Sequence, residues 1–337
     1  MNRDKSRSFL TTEFYLAVFL LAVLAFLAVF AKGFYSINNL MSVLNTFSYI
    51  LISAIGMNMI IITSNIDVST GAMISVVCLS IAAVGKTGVP FAGLLPLAIV
   101  VGALLSTLNA LLITRLRIPA IVATLATTQI FQGGLQLTVE GSIYDLPASY
   151  TWLAFNAKLF GFMPASVLIC AIVTVISLIF MRYSRFSKKI YAIGNNMQAS
   201  RLTGINVDRT VVITYAIAGA LFGISGVIIG TAGQRVTTTM GTGLEMTFIA
   251  AVVLGGTSTA GGSGKLTGTI IGALILAMIA PAINYMKISP DWSDAVKGAI
   301  IIVSVLAASL KEAKKKRVIS AADGGAAIGG SAAERQA

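Results

Sequence analysis

Residues 159–181 read LFGFMPASVLICAIVTVISLIFM, a run of 23 residues without a charge, and residues 182–209 then read RYSRFSKKIYAIGNNMQASRLTGINVDR. A further 25 uncharged residues follow at 210–234. A helix needs about 20 apolar residues to cross the hydrocarbon core of a bilayer, so each uncharged run predicts one crossing. The segment between the two runs predicts a long cationic loop at the membrane face.

The composition of the whole chain supports a membrane protein. Of 337 residues, 56% are hydrophobic and 11% are charged, and the mean hydropathy is +0.90. About a quarter of the residues in a soluble domain are charged, so this chain lacks the polar surface of a soluble globule. The net charge of +12 comes from lysines and arginines in short loops. A positive-inside bias explains that charge better than nucleic-acid binding does, so we expect a lipid bilayer and no nucleic acid as partner.

Uncharged runs along the chain predict the spans. They cover 14–31, 33–66, 68–85, 87–114, 118–139, 159–181, 210–234, 246–264, 266–286 and 298–310. We therefore expect an all-α, polytopic membrane protein with about ten transmembrane helices. The eighth run ends in GGTSTAGGSG (255–264), which is too rich in glycine for a regular helix. It predicts a broken or re-entrant segment, which is tolerated only where protein or water satisfies the backbone.

The distribution of cations predicts the orientation. With the N-terminus inside and ten crossings, the inside segments hold 18 lysines and arginines and the remaining segments hold 6. This bias predicts that both termini are cytoplasmic. The domains expected are a cytoplasmic N-terminus (1–13), a transmembrane domain (14–310) and a basic cytoplasmic tail (311–337). The tail is rich in Ala, Gly and Ser, a composition that cannot bury an apolar core and predicts disorder.

Residues suited to catalysis are scarce. The chain has no histidine, and Cys78 and Cys170 lie in apolar stretches without ligand spacing, so we expect no metal, no cofactor and no enzymatic activity. The sequence GGSGKL (261–266) resembles a phosphate-binding loop but has Thr259 in place of the first glycine and Leu266 in place of the hydroxyl. This chain is therefore not expected to hydrolyse ATP itself, so energy must come from a partner that does or from an ion gradient.

Acidic residues are nearly absent from the predicted spans, which bears on the source of energy. Ion-coupled carriers usually place carboxylates within spans, but here Asp67 lies near a membrane boundary and Glu245 at the outer edge of the eighth span. Asp67 is either a helix N-cap, accepting from the amides of Ser69 and Thr70, or part of a gate or cavity. An ATP-driven partner is favoured over two alternatives, an ion-coupled secondary transporter and an uncoupled channel or scaffold.

The cationic loop contains signals for a short helix. Asn195 and Gln198 are spaced like a variant capping box, and Gly204 stands where a C-terminal cap is favoured. The alternative is an ordinary amphipathic connector. The helix predicted for docking a partner consists of Asn195, Asn196, Met197, Gln198, Ala199, Ser200, Arg201 and Leu202 and ends at Gly204.

Four segments of the chain resemble a known family. They are NIDVSTGA (65–72), LRIPAIVATLAT (116–127), IYAIGNNMQASRLTGINVDR (190–209) and GTGLEMTFIAAVVLGGTSTAGGSGKLTGTIIGA (241–273). In these segments the chain is similar to the permease subunits of bacterial ATP-binding-cassette importers of the ribose, xylose, galactose and autoinducer-2 branch. The family usually has two glycines before Ile-Asp in the first motif, whereas Ser64 and Asn65 stand there in this chain.

The resemblance implies a set of partners and a mechanism. A second permease copy or a homologue, two ATP-binding subunits and an extracytoplasmic solute-binding protein would assemble with this chain in the bacterial inner membrane. The segment from Asn195 to Gly204 would be the coupling helix, through which closure of the motor subunits alternates access to the pathway.

Two further patterns concern the membrane interior. Two faces of small residues predict close helix packing, with a glycine-lined channel as the alternative. The first face consists of Gly219, Gly223, Gly226 and Gly230, and the second of Gly264, Gly268 and Gly272. A stripe of Gln129, Gln132 and Gln136 either forms interhelical hydrogen bonds or lines a cavity for a neutral, polyhydroxylated solute.

Overall fold

The computed structural model describes residues 12–138, 144–145, 158–159, 163–232, 235–303 and 306. Its helices are α1 (Thr12–Phe30), α2 (Ile37–Ile62), α3 (Thr70–Gly85), α4 (Phe91–Arg115), α5 (Ala120–Thr138), α6 (Ala165–Tyr183), α7 (Arg185–Asn195), α8 (Met197–Leu202), α9 (Val207–Thr231), α10 (Leu244–Leu254) and α11 (Leu266–Tyr285), and residues 292–303 are also helical. Two-residue strands β1 (Tyr144–Asp145) and β4 (Arg235–Val236) form one antiparallel pair, and β2 (Lys158–Leu159) and β3 (Met163–Pro164) form another.

Six of the described helices are long and apolar enough to cross a membrane: α1, α2, α4, α6, α9 and α11. Helices α3 and α10 are apolar but shorter. The expectation of a mostly helical protein with several membrane spans is confirmed. The predicted N-terminal segment lies mostly, and the basic tail entirely, outside the described residues.

The core of the bundle is formed by α2 and α9. Every residue of α2 from Ile50 to Ile62 is buried, and about two thirds of the residues of α9 are buried as well. A helix that is apolar on all sides belongs in such an interior. By contrast, α1 exposes large side chains such as Phe19 and Leu21, which fits a helix at the lipid-facing periphery. Cys78 and Cys170 are buried, as predicted.

Glycines allow α9 to pack closely against two helices. A β-carbon at Gly219 would overlap the carbonyl oxygen of Gly102 in α4, and one at Gly223 would overlap that of Ala98. Farther along α9, Gly226 and Gly230 meet side chains of α3 instead. All four glycines of α9 are therefore in close contact with a neighbouring helix, and the face predicted as one is divided between α4 and α3.

The second glycine series joins α11 to α10 and the loop before it. Positions 268 and 272 of α11 lie against the backbone of Gly255 and Ala251, while Gly264 meets Thr257 within the loop. The expected break is confirmed, because the eighth uncharged run contains the end of a short helix and then an irregular loop over 255–265.

Helix α3 begins at half the depth of the bundle. It runs parallel to α9, since Val77 packs on Gly226 and Ile81 packs on Gly230. Counting back along both helices places Gly71 level with the middle of α9, a helix about 37 Å long. A β-carbon at Gly71 would overlap the carboxylate of Glu245, so α10 begins near the same depth. The prediction that Glu245 lies at the outer edge of a full span is therefore wrong.

Candidate functional site

The short helix predicted in the cationic loop is present, but its first residue differs from the prediction. Asn196 adopts an extended conformation (φ −159°), which ends α7 at Asn195 and lets α8 begin at Met197. The side chain of Asn196 accepts a hydrogen bond from the amide of Ala199 at 2.9 Å and so caps α8. The expectation that Asn195 is the cap is wrong, because that residue is still helical and its side chain bonds elsewhere.

The end of α8 agrees with the prediction. Gly204 has φ +82°, in the left-handed region that favours glycine. Its amide donates to the carbonyl of Arg201 at 3.1 Å, and the amide of Ile205 donates to that of Ser200 at 3.0 Å, so the final turn is closed.

Apolar side chains protrude from α8 at the end of the bundle that holds α7 and α8, here called the docking end. Leu202 is 90% exposed and Met197 is 41% exposed. Ser200 is buried and anchors the opposite side of the helix. A short, firmly capped helix with an uncovered leucine is suited to insertion into a groove on another protein.

The C-terminus of α7 is tied to the loop over 255–265. The amide group of Asn195 donates to the carbonyl of Gly262 at 3.2 Å, and the hydroxyl of Tyr191 donates to that of Gly264 at 2.8 Å. Burial raises the pKa of the Tyr191 phenol above its usual value, so this donor keeps its proton throughout the physiological range.

The end of α2 is held in the same place. The amide of Gly262 donates to the carbonyl of Ile62 at 2.9 Å, and the hydroxyl of Ser64 donates to that of Ala260 at 2.8 Å. A β-carbon at Gly194 would overlap the Ile62 carbonyl oxygen. We call these contacts of α2, α7 and the 255–265 loop the junction. It connects the docking segment to the loop that follows α10.

A second connection joins α8 to the start of α5. The carboxylate of Asp208, in the first turn of α9, lies 3.1 Å from Arg117 in the α4–α5 loop and 3.4 Å from Arg201 in α8. All three side chains are partly exposed, so each ion pair contributes at most about 1 kcal/mol to stability. Their effect is geometric, because one carboxylate links three elements.

Asp67 lies in a buried polar cluster. Its carboxylate accepts from the amide of Ser69 at 2.9 Å and from the Ser69 hydroxyl at 2.6 Å. Asn109 of α4 donates to that hydroxyl at 2.7 Å. The predicted bond from the Thr70 amide is absent from the described contacts, and the Thr70 hydroxyl donates to the Asp67 carbonyl instead. Asp67 thus fixes the start of α3 against α4.

The glutamine stripe faces away from the rest of the chain. Gln129 and Gln136 are exposed and Gln132 is half-buried. Within the described ranges, no hydrogen bond joins these amides to another helix. Thr124, one turn before the stripe, accepts from the amide of Val68 at 3.2 Å and places α5 beside the start of α3.

Asn58 is a structural residue that the sequence did not single out. Its amide donates to the hydroxyls of Thr257 at 2.7 Å and Thr269 at 2.8 Å, so it joins α2 to the 255–265 loop and to α11. In the sequence it is a solitary polar residue, and its partners lie about 200 residues away, so spacing gave no signal.

Comparison with known proteins agrees with this architecture. The family described as branched-chain amino acid transport system, permease component, matches residues 39–305. The chain belongs to this permease family. The prediction of a permease rather than an enzyme is confirmed, as is that of a multi-pass inner-membrane protein.

Individual relatives of this permease are import proteins. The ribose import permease protein RbsC of Escherichia coli K12 is 33% identical over 301 residues, which cover 87% of this chain and 92% of the relative. The ribose import permease protein of Bacillus subtilis is 31% identical, with 87% and 90% covered. The autoinducer 2 import system permease protein LsrC of Yersinia enterocolitica is 30% identical, with 84% and 78% covered. No solved structure matches the chain.

Proposed function

We propose that this permease moves a neutral, hydroxylated solute, a monosaccharide or a molecule like autoinducer 2, across the inner membrane in an ATP-driven importer. The names of its relatives support an import role for solutes of this class. The exposed glutamine amides of α5 support the same class, since an amide both donates and accepts hydrogen bonds without adding charge.

The proposed topology has ten crossings with both termini in the cytoplasm. Its support is that the segments expected on the cytoplasmic side meet at the docking end. Glu13 near the start of α1 lies 2.7 Å from Lys265, Ile62 bonds to Gly262, and Arg117 pairs with Asp208. The ten crossings are α1 to α6, α9, α10, α11 and the helix that includes 292–303, with α3 and α10 crossing only part of the bilayer as regular helix.

The proposed partners are two ATP-binding subunits at the docking end, a second permease copy or homologue, and a solute-binding protein on the opposite side. The single observation that carries the ATP-driven assignment is the exposed, capped helix α8. Its uncovered Leu202 and Met197 offer an apolar contact at the membrane face.

Movement of α8 would reach the membrane interior by two routes. Through the junction, a displacement of α8 would move the 255–265 loop and hence α10. Through the ion pairs of Asp208 with Arg201 and Arg117, the same displacement would move α5. The glutamines of α5 would line the pathway. Asp67 would keep the start of α3 fixed while α5 and α10 move against it.

The docking variants Ala199→Asp and Gly204→Val test this function in membranes that contain the complete importer. Each is expected to abolish uptake and solute-stimulated ATP hydrolysis while the chain still inserts. Asp places a charge in the apolar contact, and Val cannot adopt the left-handed conformation at low cost. The matched control Asn38→Asp adds the same charge at an exposed position in the first turn of α2, near the opposite end, and should transport normally.

Two results would contradict the proposal. Normal uptake by both docking variants would place the motor contact elsewhere. Uptake by the purified chain alone, driven by an ion gradient, would support a secondary transporter instead.

A further inference from the structure

Glu245 is an ionisable residue near the middle of the bilayer. It lies in the first turn of α10, about 14 Å along the helix from Leu254. Its carboxylate abuts Gly71, which lies about 21 Å along α3 from Gly85. Both helices therefore begin in the membrane interior, and their N-termini meet there.

The surroundings of Glu245 are open on one side. Thr247, Phe248 and the stretch from Ala250 to Val253 are buried, so the exposed surface of α10 is concentrated around its first turn. There Gly243 is exposed, Met246 is 47% exposed and Glu245 is half-buried.

No cation neutralises Glu245 in the described part of the chain. None of the ion pairs among those residues includes it. Such a group facing lipid at mid-bilayer depth costs several kcal/mol, so it faces a water-filled cavity or another protein surface. Gly71 is part of this arrangement, because any larger residue there would displace the carboxylate.

We propose that Glu245 lines the translocation pathway and binds hydroxyl groups of the passing solute. A carboxylate accepts hydrogen bonds from two hydroxyls at once, and these charge-assisted bonds are stronger than those of an amide. The inference rests on the proposed function for the identity of the solute, but not for the position of Glu245 in an aqueous pathway.

Cysteine labelling tests the position. In the complete importer, Glu245→Cys should react with a charged, membrane-impermeant methanethiosulfonate reagent, and the rate should change when ATP is added. The two native cysteines are buried and give little background. Leu21→Cys is the lipid-facing control, exposed in the chain but expected to be unreactive.

A positive control makes a negative result decisive. The positive control is Leu202→Cys, because Leu202 is almost fully exposed in the chain. Its labelling is measured after the motor subunits have been removed, so that the docking end is accessible to the reagent. If the Glu245→Cys variant stays unlabelled both with and without ATP while the Leu202→Cys variant reacts, the proposal is wrong.

Transport kinetics test the chemistry. For Glu245→Gln, D-ribose uptake by the complete importer should fall by about tenfold, because an amide replaces a charge-assisted acceptor. Glu245→Asp should recover part of the rate. The defect should be smaller for 2-deoxy-D-ribose, which has one hydroxyl fewer, whereas a merely structural role would slow both sugars equally.

These outcomes distinguish an error in the proposed solute from an error in the proposed role of Glu245. If the wild-type importer carries neither sugar but the Glu245→Cys variant is labelled, the solute assignment is wrong and the pathway assignment stands. If Glu245→Gln transports D-ribose at the full rate, Glu245 does not bind the solute.

Discussion

Close packing of α4 against α9 predicts that a single methyl group at Gly219 destabilises the protein. In Gly219→Ala, the new β-carbon would overlap the Gly102 carbonyl oxygen and lie 2.5 Å from the β-carbon of Ser106. Carbon atoms pack best at about 3.5–4.0 Å, so the two helices must separate by roughly 1 Å. Overpacking of this kind costs about 1–3 kcal/mol, and the backbone carbonyl cannot move without its helix.

A matched substitution should instead increase the stability of the protein. Nothing lies within 4 Å of the β-carbon position of Gly133 in α5, so Gly133→Ala keeps its contacts and gains about 1 kcal/mol of helix propensity. The same propensity gain offsets part of the loss at Gly219, which leaves a net destabilisation of about 0–2 kcal/mol. The propensity gain is common to both variants, so their stabilities should differ by the overpacking cost, about 1–3 kcal/mol.

The assay is the thermal loss of the monodisperse chromatographic peak of the detergent-solubilised chain, compared at one heating rate because unfolding is irreversible. Gly219→Ala should lose the peak several degrees below wild type, and Gly133→Ala at or above it. Equal midpoints for the two variants would refute the inference that the glycines of α9 are required by contact with α4.

Two further substitutions test polar groups within the bundle. Asn58→Leu should lower stability by about 1 kcal/mol in the same assay, because the hydroxyls of Thr257 and Thr269 lose their donor; unchanged stability would mean that these hydroxyls find other partners. Gln132→Leu should slow solute uptake several-fold at normal expression, whereas full-rate uptake with a lowered thermal midpoint would show that the glutamine stripe has a packing role.

Sequence reasoning predicted the features that depend on local patterns. Uncharged runs predicted the helices, and the spacing of Gly219, Gly223, Gly226 and Gly230 predicted close packing. Gly204 was placed correctly at the end of α8 because its left-handed conformation is a local requirement. The N-cap was misplaced by one residue because Asn195 and Asn196 are both suitable caps, and the side chain of Asn195 instead donates to the carbonyls of Tyr191 and Gly262.

Features that depend on distant contacts could not be predicted. The junction joins Ile62, Tyr191 and Gly262, residues that no periodicity connects. Nothing local distinguishes Asp208 from any other acidic residue in a first helical turn, although Arg117 and Arg201 both pair with it. Asn58 likewise gains its role only from the 255–265 loop and α11, which pack on it.

Helices α3 and α10 show why a count of uncharged residues does not give the depth at which a helix begins in the membrane. Residues 68–85 are uncharged and long enough for a nearly full crossing, yet α3 starts at Thr70 in the middle of the bundle and does not begin at a membrane face. Non-helical backbone is tolerated at that depth only when its polar groups are satisfied. Here the Ser75 hydroxyl accepts from the amide of Gly241 at 2.9 Å, and the Thr124 hydroxyl of α5 accepts from the amide of Val68 at 3.2 Å. Because those partners come from other segments of the chain, tertiary contacts determine where a short helix such as α3 begins. A carboxylate next to an uncharged run, such as Glu245, therefore marks a boundary of the run without showing how deep that boundary lies.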